Sequence, residues 1–140
     1  MSVELGVANA EVMTKLKAVW DASTASAIPI LWHDVEGDTP DDATSWIRPT
    51  IIGGSFEIQG IGQKARLYEQ NSVLVIQLFT TNASGLNFKD DLVNILYSGF
   101  RGAVTSSGVR FTDMKYADLG KSGAWNQRNV TINFKYDTAN

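Results

Sequence analysis

SVLVIQLFTT, residues 72–81, is an almost unbroken apolar run rich in β-branched side chains. A run of that length and composition reads as a central strand covered on both faces, because neither side of it alternates with polar residues. Everything else in the chain is placed by asking what packs against it. Downstream, Ser84 and Gly85 make a turn, and Phe88, Leu92, Ile95, Leu96 and Phe100 then recur at helical spacing. Asp90 and Asp91 sit early in that helix, where its dipole favours acids, and Gly102 is a stop signal. Val109 and Phe111 open another strand, GKSGAW is a turn, and Val130, Ile132, Phe134 and Tyr136 alternate strictly with Thr131, Asn133 and Lys135. That last strand has one apolar and one wet face.

Upstream, FEIQGIGQKARLYEQNS sets Phe56, Ile58 and Ile61 among polar residues with no strong core pattern, the mark of a long hairpin extending from the body. Ser45 to Ile52 (SWIRPTII) and the short run Ile28 to Trp32 read as strands. Pro49 cannot donate to a ladder, so the strand that holds it is an edge or bulges there. Between Asn9 and Asp21 the apolar residues Val12, Leu16, Val19 and Trp20 share one helical face, with Asn9 placed as N-cap and Glu11 near the positive end of the dipole. The STAS stretch at 23–26 ends this helix. Helix, strands, helix, strands implies an α+β domain: a mixed, mostly antiparallel β-sheet with two α-helices packed on it and a protruding β-hairpin.

At 140 residues the chain has the size of one domain, residues 1–140, with 44% hydrophobic residues and 19% charged, the profile of a globular protein with a packed core. It has no cysteine, which closes the disulfide, zinc-finger and thiol-nucleophile readings. The N-terminal stretch lacks a basic region followed by an apolar one, and no apolar run approaches the roughly 20 residues of a membrane span. Net charge of −3 argues against a protein whose main task is gripping phosphate backbones. Charge is unevenly placed: residues 1–70 hold ten acids and five bases, residues 71–140 five acids and seven bases. Opposite signs on opposite surfaces suit head-to-tail contacts that close a ring.

One stretch tests for chemistry. LWHDVEGDTPDDATSW, residues 31–46, gathers His33, Asp34, Glu36, Asp38, Asp41 and Asp42. A calcium loop starting at Asp34 fails, because Thr39 stands where the motif needs glycine and Ser45 where it needs glutamate. His33 is the only histidine, so a zinc or iron site lacks its further imidazoles and a catalytic triad has no other base. The acids read as a solvated loop, and no cofactor or metal site emerges. GGSFEIQGIG has neither phosphate-binding glycine pattern and lies between strands. Lys64, Arg66 and Tyr68 suggest basic-aromatic contacts with nucleic acid, which Glu69 and the net charge oppose. Trp125 reads as an aromatic packed at a turn.

Taken together, the helix ending in Trp20, IPILWHDV, Pro40 in an acidic loop, SWIRPTII, the long glycine-bearing excursion, SVLVIQLFTT with Gly85, the second helix, GVRF and GAWNQRNVTINFKYD resemble the tail-terminator (tail-completion) proteins of lambda-like siphophages. The resemblance covers nearly the whole chain, and its markers are diffuse: Trp46, the 73–79 strand, Gly108 to Phe111, Trp125 and the final strand. Ser72 departs from it, standing where the pattern has glycine. The resemblance implies a non-enzymatic virion protein, made in the host bacterial cytoplasm and ending at the head-proximal end of the tail. It implies a homohexameric ring that stops tube polymerisation, with the tail tube protein and a neck or head-completion protein as partners. DNA would be only passing cargo, and no membrane is involved. Phe56, Ile58, Ile61, Arg66 and Tyr68 are then the expected subunit contacts, and Asp34, Glu36, Asp38, Asp41 and Asp42 possible lumen acids. Another small neck protein, or a nucleic-acid-binding module, is the alternative.

Overall fold

Strand β2 (Arg66–Thr81) pairs along its length with β1 (Ser45–Ile61) on one side and β4 (Trp125–Ala139) on the other. Strand β3 (Arg110–Ser122) completes a sheet of order β1-β2-β4-β3 in which every ladder is antiparallel. Helices α1 (Leu5–Asp21) and α2 (Gly85–Phe100) complete the α+β architecture. The computed structural model describes residues 5–23, 28–32, 45–61, 66–81, 85–122 and 125–139, with backbone alone at 54–61, 66–67, 81, 85–88, 121–122, 125 and 139.

Both helices lie on one face. Ala8, Val12, Leu16 and Trp20 of α1 and Leu92, Val93, Leu96 and Phe100 of α2 form one core with Ile47, Leu74, Ile76, Leu78, Phe111, Val130, Ile132, Phe134 and Tyr136 of the sheet. These strand residues share a side by register: Ile47 opposes Leu78, and Leu74 opposes Ile132, which opposes Met114. The expectation that residues 72–81 are covered on both faces is therefore corrected for all but Phe79, which is buried on the outer face. β2 is central, yet Val73, Val75 and Gln77, which point away from the helices, are only half-buried. The valines of that face are β-formers on a polar surface, which an apolar run does not distinguish from a second core.

Three local expectations also change. Helix α1 begins no later than Leu5, so Asn9 stands inside it and is no cap. Glu11 accepts from the backbone N–H and hydroxyl of Ser107 in the α2–β3 connection. The run 28–32 forms one parallel bridge, Ile30 to Ile47, with Leu31 N–H donating to the Ile47 carbonyl (2.8 Å) and Ile47 N–H to the Pro29 carbonyl (3.0 Å). A parallel ladder there would next need the N–H of residue 49, and Pro49 has none, so the bridge does not grow into a strand. β1 is an edge, as Pro49 requires. Gly102 adopts φ 66° just past α2, the left-handed geometry that ends helices.

Candidate functional site

The hairpin expected between the second and central strands is the far half of β1 and the near half of β2. Its ladder runs Phe56 to Gln70, Glu57 to Glu69, Ile58 to Tyr68 and Ile61 to Arg66, with register shifts between Gly53 and Phe56 and between Ile58 and Gly60. A shift of this kind bends the strand that carries the extra residue and increases its twist. β4 follows β2 outward to Leu67 opposite Ala139, whereas β3 pairs no further than Arg110 opposite Lys135. The projection is thus a three-stranded tongue, with the chain's last strand as its third member. The alternation of Val130 to Tyr136, continued into Asp137 and Thr138, was the signal for that third strand.

The five expected contact residues fall into this tongue. Ile58, Tyr68 and Thr138 form one cross-strand row, and Tyr68 is half-buried. Phe56, Ile61 and Arg66 are placed by register alone; their side chains, and that of Ile58, lie outside the described residues. His33 and the acids Asp34, Glu36, Asp38, Asp41 and Asp42 also lie outside the described residues, so the structure does not place the lumen group.

Register also gathers a row that residue types alone do not reveal. Glu57, Glu69 and Asp137 stand opposite one another across β1, β2 and β4. Directly opposed like charges destabilise a sheet unless countered. Arg110 supplies the counter-charge, reaching Asp137 Oδ1 at 3.4 Å and Glu69 Oε2 at 3.5 Å, and Lys135 lies 3.7 Å from Glu69 Oε1. Two of the bases on this side of the sheet are thereby occupied, which works against phosphate binding there.

At the root of the tongue Gln70, Ser72 and Tyr136 are buried on the helix side. Gln70 Nε2 donates to the Asn71 carbonyl (3.1 Å) and to Ser72 Oγ (3.2 Å), while the Tyr136 hydroxyl finds no partner among the described residues. Burial pushes the Tyr136 phenol above its ordinary pKa. An unpartnered buried hydroxyl costs more than its removal, so Tyr136→Phe should leave stability unchanged or raise it by up to about 1 kcal/mol. Chemical denaturation reads this directly; a loss of stability would mean that the hydroxyl has a partner in solution.

Near the opposite end of the sheet a charged knot ties α2 to the β3–β4 hairpin. Arg128, its side chain 2% exposed, donates from Nε to Asp118 Oδ1 (2.6 Å), from Nη2 to Asp118 Oδ2 (3.1 Å) and from Nη1 to Asp90 Oδ1 (2.8 Å). Its guanidinium carbon is 4.7 Å from the Tyr116 ring centre. On the outer face Trp46 stacks on its cross-strand neighbour Phe79 with ring centres 3.9 Å apart, and Arg48 lies 5.1 Å from the Trp46 ring. Both aromatics are buried, so neither is a free stacking platform. Among the described residues no group of three or more acids or histidines is arranged to hold a metal ion.

No family model matches the chain, and no curated protein matches it. One solved structure, known only by a sequence identifier that states no function, superposes over 96% of this chain and 96% of its own with a TM-score of 0.70 at 15% identity. At that identity the likeness is one of fold.

Proposed function

We propose that the chain is the subunit of a ring that caps the head-proximal end of a phage tail tube, stopping tube growth and offering a joining surface to the neck. The observation that carries this reading is the tongue. Among the described residues strand β4 has no β3 neighbour beyond Arg110, so the tongue presents main-chain edges on both sides, on β1 and on the end of β4. Unpaired strand edges are templates for another chain, and a heterologous contact that closes makes a ring. The resemblance of the sequence to tail terminators supplies the partners: copies of itself, the tube protein and a neck protein. Capping then needs only one ring face that complements the tube and one that does not repeat it.

Tyr68→Asp is the sharpest variant, because it sets a charge in the middle row of the tongue and Tyr is a residue type on which interfaces depend heavily. Ring assembly should weaken by roughly thirtyfold, about 2 kcal/mol, with the thermal midpoint little changed. Mass photometry with negative-stain electron microscopy, alone and with tail tubes added, checks this. Uniform rings lost on substitution support the reading; a monomer that binds no tube end at any concentration sinks it.

A further inference from the structure

Helix α1 carries an apolar line where an amphipathic helix ordinarily shows charge. Its buried line is Ala8, Val12, Leu16 and Trp20. On the opposite side Val7, Ala10, Thr14 and Ala18 are all exposed, with Glu11 and Lys15 on one flank and Lys17 and Asp21 on the other. Leu5 is 54% and Val7 45% exposed, and Val104, at the start of the neighbouring connection, is 63% exposed. Between this ridge and Thr105 and Ser106 lies an open trough of about 490 Å³. Lys17 is taken up by Asp21 at 2.6 Å, and Glu11 is fixed by Ser107, which holds its carboxyl below the ordinary pKa, Thr105 contributing after it. Lys15 has no ion pair among the described residues.

We infer that this ridge is the contact with a second copy of the chain, α1 against α1, antiparallel about a two-fold axis. The charges decide both occupant and direction. The ridge runs from Val7 to Ala18, so its midpoint falls between Val12 and Met13. A two-fold axis there sets Val7 opposite Ala18 of the partner subunit and brings Glu11 within one residue of Lys15 of the partner subunit, twice by symmetry. Parallel pairing would instead set the Glu11 and Lys15 flank of one copy against the Lys17 and Asp21 flank of the other, would leave Glu11 and Lys15 of the two copies apart, and would align the helix dipoles unfavourably. The short side chains of Ala10, Thr14 and Ala18 let the axes approach to about 8 Å. Two helices of this length cover less than the roughly 1,200 Å² of a stable interface, so the association is weak and concentration-dependent. It is separate from the tongue; with a ring it would join two rings face to face, and without one it pairs free subunits.

The absence of cysteine makes the test clean. With 1.5 Å rise per residue, two copies of residue 14 are offset along the axis by about 4.5 Å, within disulfide reach, and two copies of residue 21 by about 25 Å, beyond it. Under mild oxidation Thr14→Cys should form a disulfide dimer at least about tenfold faster than Asp21→Cys. Adding Lys15→Glu to Thr14→Cys should slow the cross-link about threefold or more, as should salt. Sedimentation equilibrium of the unsubstituted protein should show a monomer–dimer equilibrium that Lys15→Glu shifts to monomer. Equal rates for the two cysteine variants, a faster Asp21→Cys, or no response to Lys15→Glu overturns the inference. Rings seen alongside a negative cross-link overturn it and leave the ring reading standing.

Discussion

Replacing Arg128 by alanine should lower the unfolding free energy by about 3 kcal/mol, one of the largest single-residue losses available outside the apolar core. Arg128 is among the largest fully buried side chains, and its carboxylate partners Asp118 and Asp90 are each about half exposed. The asymmetry decides what each substitution does. Removing the arginine leaves two carboxylates that water can reach, so the loss is mainly that of packing, the ring contact with Tyr116 and three hydrogen bonds. Removing Asp118 leaves the buried guanidinium paired with Asp90 alone and its Nε and Nη2 donors without that carboxylate, at a cost of about 2 kcal/mol discounted for the exposure of the aspartate. Arg128→Met should recover most of the loss, because an apolar side chain of similar length fills the site without needing partners. Urea denaturation of the three variants separates packing from charge. If Arg128→Met is as unstable as Arg128→Ala, the ionic contacts carry the site.

The same knot has a pH signature. The hydrogen bonds from Arg128 hold the Asp118 carboxyl below its ordinary value of 3.8, despite the opposing effect of burial. A group whose folded pKa is lowered contributes stability that is present above its unfolded value and is lost as pH falls through the folded one. Wild type should therefore lose stability below about pH 4 more steeply than Asp118→Asn, while the two curves run parallel above it.

Legibility in the sequence followed the range of the interactions. The buried face of α1, the helical repeat of α2 and the alternation of β4 were readable because each is written at local spacing. Pro49 as an edge marker was readable because the missing N–H is a property of the residue itself. The three-stranded tongue was half legible: the excursion of residues 56–72 stood out, but that Tyr136 to Ala139 pair beside it depends on register across more than sixty residues. The Glu57, Glu69 and Asp137 row and the Arg128 knot were not legible at all, since each joins residues from three different elements. Asn9 was misplaced as a cap because its side chain suits one, while the apolar residues ahead of it, Leu5 and Val7, extend the helix without showing a core pattern.

Gly99 is where two of these local patterns meet, and Gly99→Ala should destabilise the protein by about 2 kcal/mol although helix propensity alone predicts a gain of about 1 kcal/mol. The residue lies in α2 at its crossing with α1, and a Cβ placed on it would sit 2.6 Å from Cγ2 and 3.0 Å from Cβ of Val19, and closer still to Cγ1. Rotating Val19 does not relieve this, because both methyls and the β-carbon are near, and a β-branched residue in a helix has one preferred rotamer. The helices must part instead, and Trp20, Leu96 and Phe100 of the same core move with them. Val19→Ala alone should cost about 1 kcal/mol as a partly buried truncation, yet in the Gly99→Ala background it should restore stability. The double-mutant cycle, read by thermal or urea unfolding, should therefore show a coupling of about 3 kcal/mol with the favourable sign. Additive losses would mean that the helices cross with more room at Gly99 than this geometry gives. That result would also move the α1 ridge relative to α2, and with it the surface that a second copy meets.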